Sequence, residues 1–197
     1  ATYTKPVLFT FTVSSITYNP STYNFLTGIA IETIQPIIPT YSAEPDSITY
    51  TASNLPNGLV VDTITGFITG TPASESTGTN TALISVLNAG VVLNTNSLVM
   101  SVLELIYNPL AYTFTVSVPI TTISPSSSYL TDASILTFAP PANLRVDASG
   151  NITGTPLAAA PETTYNLTLA VENTTYQKTI PFSFTVNNFI EPLILQF

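Results

Sequence analysis

The chain has 197 residues, enough for two small domains, and 45% of them are apolar, so each domain can bury a core. Only 7% are charged, against about 25% in ordinary soluble domains, and the net charge is -8 with three basic residues in all, Lys5, Arg145 and Lys178. That balance excludes a nucleic-acid groove, and the lack of histidine and cysteine excludes disulfides, zinc sites of the usual type and Ser-His-Asp or Cys-His catalysis.

The chain opens at Ala1 with no initiator methionine, which reads as a mature product of signal cleavage. Val7, Phe9, Phe11 and Val13 alternate with Leu8, Thr10 and Thr12, the period of a strand. Tyr18-Asn19-Pro20 then begins a passage that ends at Ile34-Gln35-Pro36. Leu59-Val60-Val61-Asp62 and Thr65-Gly66-Phe67-Ile68-Thr69-Gly70-Thr71-Pro72 read as a hairpin, with Asp62 bonding back to the turn and Gly66 supplying positive φ. Ser74 to Asn80 reads as a loop.

The same passage then returns. Tyr107-Asn108-Pro109 runs without gaps to Ile123-Ser124-Pro125, so that Tyr23/Tyr112, Phe25/Phe114, Ile31/Ile120 and Ile34/Ile123 fall in register. Ser126-Ser127-Ser128 reads as a loop. Leu144-Arg145-Val146-Asp147 and Ser149-Gly150-Asn151-Ile152-Thr153-Gly154-Thr155-Pro156 repeat the hairpin, one residue shorter and with Asn151 where the first copy has Phe67. Tyr165 to Val171 and Ile180-Pro181-Phe182-Ser183-Phe184-Thr185-Val186 alternate as strands. No amphipathic helix is evident, and no uninterrupted apolar run approaches the ~18 residues of a membrane span.

A repeat of roughly 85 to 90 residues has the size of an immunoglobulin-like sandwich. The sequence therefore predicts an all-β protein: two tandem immunoglobulin-like β-sandwich domains, 16–104 and 105–197, preceded by an extra N-terminal strand, 1–15. The pattern that both copies share, Tyr-Asn-Pro followed by Leu-x-Val-Asp and Thr-Gly-Thr-Pro, resembles the Ig-like repeats of bacterial and archaeal surface proteins. The resemblance covers most of the chain and implies a sandwich and a surface address, with no chemistry.

Residues 1–14 have no place in two such repeats. Val7, Phe9, Phe11 and Val13 match Ile180, Phe182, Phe184 and Val186, the last strand of the second copy, and they also fall on the last strand of the first. Ile190 to Phe197 in turn resembles Tyr107 to Phe114, the first strand of a repeat. Burying each large apolar side chain of such a strand contributes roughly 1.5–3 kcal/mol. Insertion into a neighbouring copy, a form of strand addition, is the predicted outcome, and its heterologous contact propagates into a filament. The combination resembles the thread filament subunits of thermoacidophilic archaea, which implies an extracellular, glycosylated homopolymer joined by donor strands. The N-terminal strand folding back onto its own repeat is the plain alternative.

Asn151, Asn166 and Asn173 head N-glycosylation sequons, so N-linked glycans are expected partners beside other copies of the chain. Asp62 and Asp147 could ligate calcium, but each lacks a second carboxylate nearby, and no metal site or cofactor is expected. Glu44 and Asp46 form the one close acidic pair, in a Pro-rich loop, and no enzyme is predicted. Lys5 and Lys178 read as solvated charges, with a Lys-Asn isopeptide bond as the rarer alternative. The competing function is a carbohydrate-binding adhesin or a virion or surface-layer decoration module, with Tyr41, Tyr50 and Tyr129 as candidate sugar-binding aromatics.

Overall fold

The computed structural model of the chain describes residues 15–38, 48–139 and 143–189. Val7, Phe9, Phe11 and Val13, together with Lys5, Tyr41, Glu44, Asp46 and residues 190–197, lie outside the described residues. Within them the protein is all-β, with one short 3-10 turn at Ser74–Ser76.

The first copy of the repeat supplies β1 (Thr22–Leu26), β2 (Ile48–Ser53), the hairpin β3 (Leu59–Val61) and β4 (Ile68–Gly70), β5 (Gly78–Asn88) and β6 (Val91–Ile106). Its main sheet has the order β1-β6-β5-β2, with β1 parallel to β6 and the other pairs antiparallel. The second copy supplies β7 (Ala111–Thr115), β8 (Ser127–Tyr129), β9 (Ser134–Phe138), β10 (Leu144–Val146), β11 (Ile152–Gly154), β12 (Ala160–Val171) and β13 (Gln177–Asn187). Its sheet has the order β7-β13-β12-β9, again with the first strand parallel to the last. The sequence echo is therefore an echo of topology.

Period-2 burial sets the inner faces. In repeat 1, Ala82, Ile84 and Val86 of β5 and Leu98, Met100 and Val102 of β6 are buried. In repeat 2 the same places hold Leu167, Leu169 and Val171, and Phe182, Phe184 and Val186. Phe182 and Phe184 stack at 5.7 Å, and Phe138 meets Phe182 edge-on at 6.0 Å. The inner strands of repeat 1 carry aliphatic side chains where the last strand of repeat 2 carries Phe182 and Phe184, yet both fill the same layer between a four-stranded sheet and a hairpin.

The opposing layer is tied by single bridges. Thr17 pairs with Ile37, Ile34 with Ile68, and Ile123 with Ile152, so in each repeat the segment after the first strand lies against the hairpin. The hairpins close as the sequence predicts. Gly66 has φ +73° and Gly150 has φ +84°, both left-handed. Gly70 and Gly154 leave no room either, since a Cβ at each would stand 2.1 Å from the carbonyl oxygen of Gly58 or Asn143, the residue just before the facing strand.

Two loop assignments are corrected. Ser127 and Ser128 belong to strand β8, which pairs with Glu104, Leu105 and Ile106 of β6. Backbone pairing carries this strand, and both the N–H and the hydroxyl of Ser126 donate to the Ile106 carbonyl, so no apolar side chain was needed to build it. Ser74 to Asn80 is not one loop: after the turn at Ser74–Ser76, β5 begins at Gly78.

β6 is the longest strand, and it serves both repeats. Leu98 and Met100 enter the first core; Leu103, Leu105 and then Tyr107 enter the second, where Leu26 of β1 joins them. The expected division at 104/105 falls inside this strand. The last strand of the first repeat thus also lends side chains to the core of the second.

Candidate interaction sites at the repeat junction and clefts

The two sequence echoes of each repeat meet in space. Tyr18 donates from its hydroxyl to the Gly66 carbonyl at 2.7 Å, and Tyr107 donates to the Gly150 carbonyl. The Asp of each hairpin shapes the turn that presents this carbonyl. Asp62 Oδ1 accepts from the Thr65 N–H at 2.7 Å and the Ile64 N–H at 2.9 Å. Asp147 Oδ1 accepts from the N–H groups of Asn151 and Ser149, and its Oδ2 accepts from the Asn151 amide at 3.0 Å. The hydrogen bonds from Thr65 and Ile64 hold the Asp62 carboxyl below its ordinary range, and those from Asn151 do the same for Asp147. Burial pushes the Tyr18 and Tyr107 phenols well above theirs. Asn151 replaces Phe67 because its amide completes the shorter turn. Among the described residues no three carboxylates converge on a point that could hold a metal ion.

A polar link crosses the junction of the repeats. The Lys178 amine donates to the Thr27 hydroxyl at 3.0 Å, and that hydroxyl donates to Glu104 Oε1 at 3.2 Å. Thr27 and Glu104 are buried. The reading of Lys178 as a solvated charge is therefore corrected. Its neighbours here are a hydroxyl and, beyond it, a carboxylate.

Beside the first strand of each repeat runs a cleft. The cleft of repeat 1, about 940 Å³, is lined by Tyr23, Phe25, Glu32 and Ile34, and also by the turn Val171–Tyr176 that joins β12 to β13. The cleft of repeat 2, about 560 Å³, is lined by Tyr112, Phe114, Val118, Ile120 and Ile123. The aromatic pair is the same in both: Tyr23 stacks on Phe25 at 6.0 Å, and Tyr112 on Phe114 at 6.2 Å. Sequence reasoning missed both clefts, although the in-register Tyr and Phe residues were their visible signal.

The sequons sit on different structural grounds. Asn166 is exposed on β12, opposite Pro181, and Asn173 is exposed in the β12–β13 turn with φ +60°. Asn151 is half-buried with its amide engaged by Asp147. Tyr50 is corrected as a sugar-binding aromatic. It is 1% exposed, and its ring packs under Gly66. Tyr129 is half-buried and its hydroxyl bonds to Thr79.

Residues 14–103 match the family described as "Putative Ig domain". The fold is immunoglobulin-like. No curated protein matches the chain. Among solved structures, it is similar to the insect immune protein hemolin (10% identity, 93% of this chain and 52% of that one, TM-score 0.45). It is also similar to the EC1-2 fragment of human protocadherin-24 (12% identity, 91% and 100%, TM-score 0.37). A third is an endo-fucoidan hydrolase of glycoside hydrolase family 107 (16% identity, TM-score 0.36), where the match covers 87% of this chain and spans 28% of that one's length. None of these lends the chain an activity. Among the described residues no helix is long and apolar enough to cross a membrane.

Proposed function

We propose that the chain is a structural subunit of an extracellular surface filament, joined head to tail when the segment 1–15 of one copy supplies a strand to a neighbouring copy. The observation that supports it most is the dual role of β6. Residues 2–17 repeat β6 in register: Phe9 matches Leu98, Phe11 matches Met100, Val13 matches Val102 and Ile16 matches Leu105. On β6 the first three are buried in the sheet of one sandwich, and Leu105 opens the next. Ile16 is likewise buried in the first core, so the match holds where it enters the described residues. Repeats 1 and 2 already contain their own last strands, β6 and β13. A further strand of that pattern is surplus to both, and another copy is its natural acceptor.

The scarcity of charge and the three sequons fit a surface address with N-linked glycans. The test is assembly. Purified chain is imaged by negative stain and followed by sedimentation as a function of concentration. A chain beginning at Ser15 should not elongate, and Phe9→Asp with Phe11→Asp should behave the same, because two unpaired charges would enter an apolar site. A peptide of residues 3–14 should cap growing ends. Filaments from the shortened chain would sink the strand role. A sharp monomer that binds immobilised glycans would put the adhesin reading in its place.

A further inference from the structure

We propose that the open cleft of repeat 2 is the seat for the β5–β6 tip of repeat 1 in a second copy of the chain. The internal contact of the molecule is the pattern. The β12–β13 turn of repeat 2 forms one wall of the cleft of repeat 1. The Tyr176 ring meets Phe25 edge-on at 6.1 Å, and its phenol oxygen accepts from the Glu32 N–H at 2.7 Å. Phe25 is left 2% exposed.

Among the described residues the counterpart positions lack these partners. Phe114 stands where Phe25 does but is only half-buried, and Val118 on the rim is 43% exposed. Among the described residues no turn lies in this cleft. The matching turn of repeat 1 is likewise uncovered among the described residues. The register that places Phe184 on Met100 and Val186 on Val102 places Tyr176 on Val92. Val91, Val92 and Leu93 are 66%, 56% and 47% exposed, three aliphatic side chains in a row at the tip of a hairpin. Among the described residues one such face and one such tip are uncovered, and the molecule shows in its own junction how a tip meets such a face. The intermolecular contact lacks the phenol hydrogen bond and rests on burial of these aliphatics against Phe114 and Ile120. Tip and seat are different surfaces, so the contact is heterologous and adds copies in one direction. It deepens the filament reading, from which it takes only the head-to-tail geometry, and it makes no use of residues 1–14.

The chain contains no cysteine, so cross-linking reads the contact cleanly. Val92→Cys chains are mixed with Thr121→Cys chains under mild oxidation; Thr121 stands where Glu32 meets Tyr176. The expected result is a disulfide-linked pair in about tenfold excess over a mixture of Val60→Cys with Thr121→Cys, because a docked tip raises the effective concentration of the thiols. Val60 is a fair control, being 60% exposed on β3. Val118→Asp in the seat should remove the excess. Equal yields from the two mixtures overturn the proposal. Filaments grown without the excess link would leave the filament reading standing and this contact refuted. The link formed between copies that never build filaments would do the reverse.

Discussion

Gly66 and Gly28 offer a controlled measurement of what the Gly66 position contributes. Both have φ +73°. An alanine at either carries the same left-handed backbone cost, about 1–2 kcal/mol. At Gly28 the new methyl group meets nothing within 4 Å. At Gly66 it stands 2.6 to 2.8 Å from three ring atoms of Tyr50. That ring is 1% exposed and cannot swing into solvent. Moving it means overpacking the first core, at about 1–3 kcal/mol beyond the backbone cost. Gly66→Ala should therefore destabilise by about 2–5 kcal/mol and Gly28→Ala by about 1–2. The difference is read by scanning calorimetry, where about 1 kcal/mol corresponds to roughly 4–8 °C in a domain of this size. Combining Gly66→Ala with Tyr50→Leu should cost less than the sum of the two, because the methyl and the ring contend for one space. Equal losses for the two alanine variants would refute the packing argument and leave backbone conformation as the whole effect.

Stability should be flat from about pH 5 to 9. Asp62 and Asp147 have lowered carboxyl values in the fold, so their contribution is present above the ordinary Asp value of about 3.9 and is lost only as pH falls below it. Tyr18 and Tyr107 have raised values, so theirs is complete below about pH 10 and is lost as pH rises beyond it. Thermal melts at pH 3, 7 and 11 check both signs, and a steep acid transition above pH 4 would contradict them. Thr27→Val should cost about 1–3 kcal/mol in urea titration, because Glu104 is left buried without its donor and Lys178 without its acceptor; a neutral result would show that the link contributes nothing. In material from a glycosylating host, peptide mass spectrometry should find Asn166 and Asn173 occupied ahead of Asn151, whose amide is held by Asp147.

Much of the architecture was legible because the same physical device appears twice. The Tyr-Asn-Pro and Thr-Gly echoes are far apart in sequence, and the phenol-to-carbonyl hydrogen bond explains why they travel together. Gly66 and Gly150 could be predicted because a turn that needs positive φ selects a residue without a Cβ. Tyr50 could have been placed correctly by the same reasoning. It shares a face of β2 with Ile48 and Ala52, and that alternation points inward. Ser127 to Tyr129 could not be read, because a strand held by backbone pairing leaves no apolar signature. Glu104, the last residue of the expected first domain, lies within a continuous strand, where Thr27 satisfies it. The clefts were hidden for another reason. Whether Phe25 is covered depends on the turn Val171–Tyr176 of the other repeat, 144 residues from Glu32 to Tyr176, and no local pattern records that.

The shared strand has a mechanical consequence for how such repeats join. A linker between two sandwiches normally leaves their cores independent, and relative motion is the default. Here β6 continues without a break to pair with β8 and to bury Leu103 and Leu105 in the second core, and Leu26 of the first repeat packs there too. Tension applied along the chain therefore reaches β6 as shear along its pairing with β1 and β5, distributed over many backbone hydrogen bonds, and not as the peeling of a terminal strand. The parallel β1–β6 pair and the β7–β13 pair place the first and last strands of each repeat side by side, so the points where force enters and leaves are tied directly to each other. Pulling the chain by its ends should give two unfolding events at forces well above those of a sandwich whose end strands are unzipped from its edge. Deleting the pairing of β7 with β13, by Thr113→Pro on the edge strand, should weaken one event and spare the other. If both events fell together, force would not be carried repeat by repeat along these pairs.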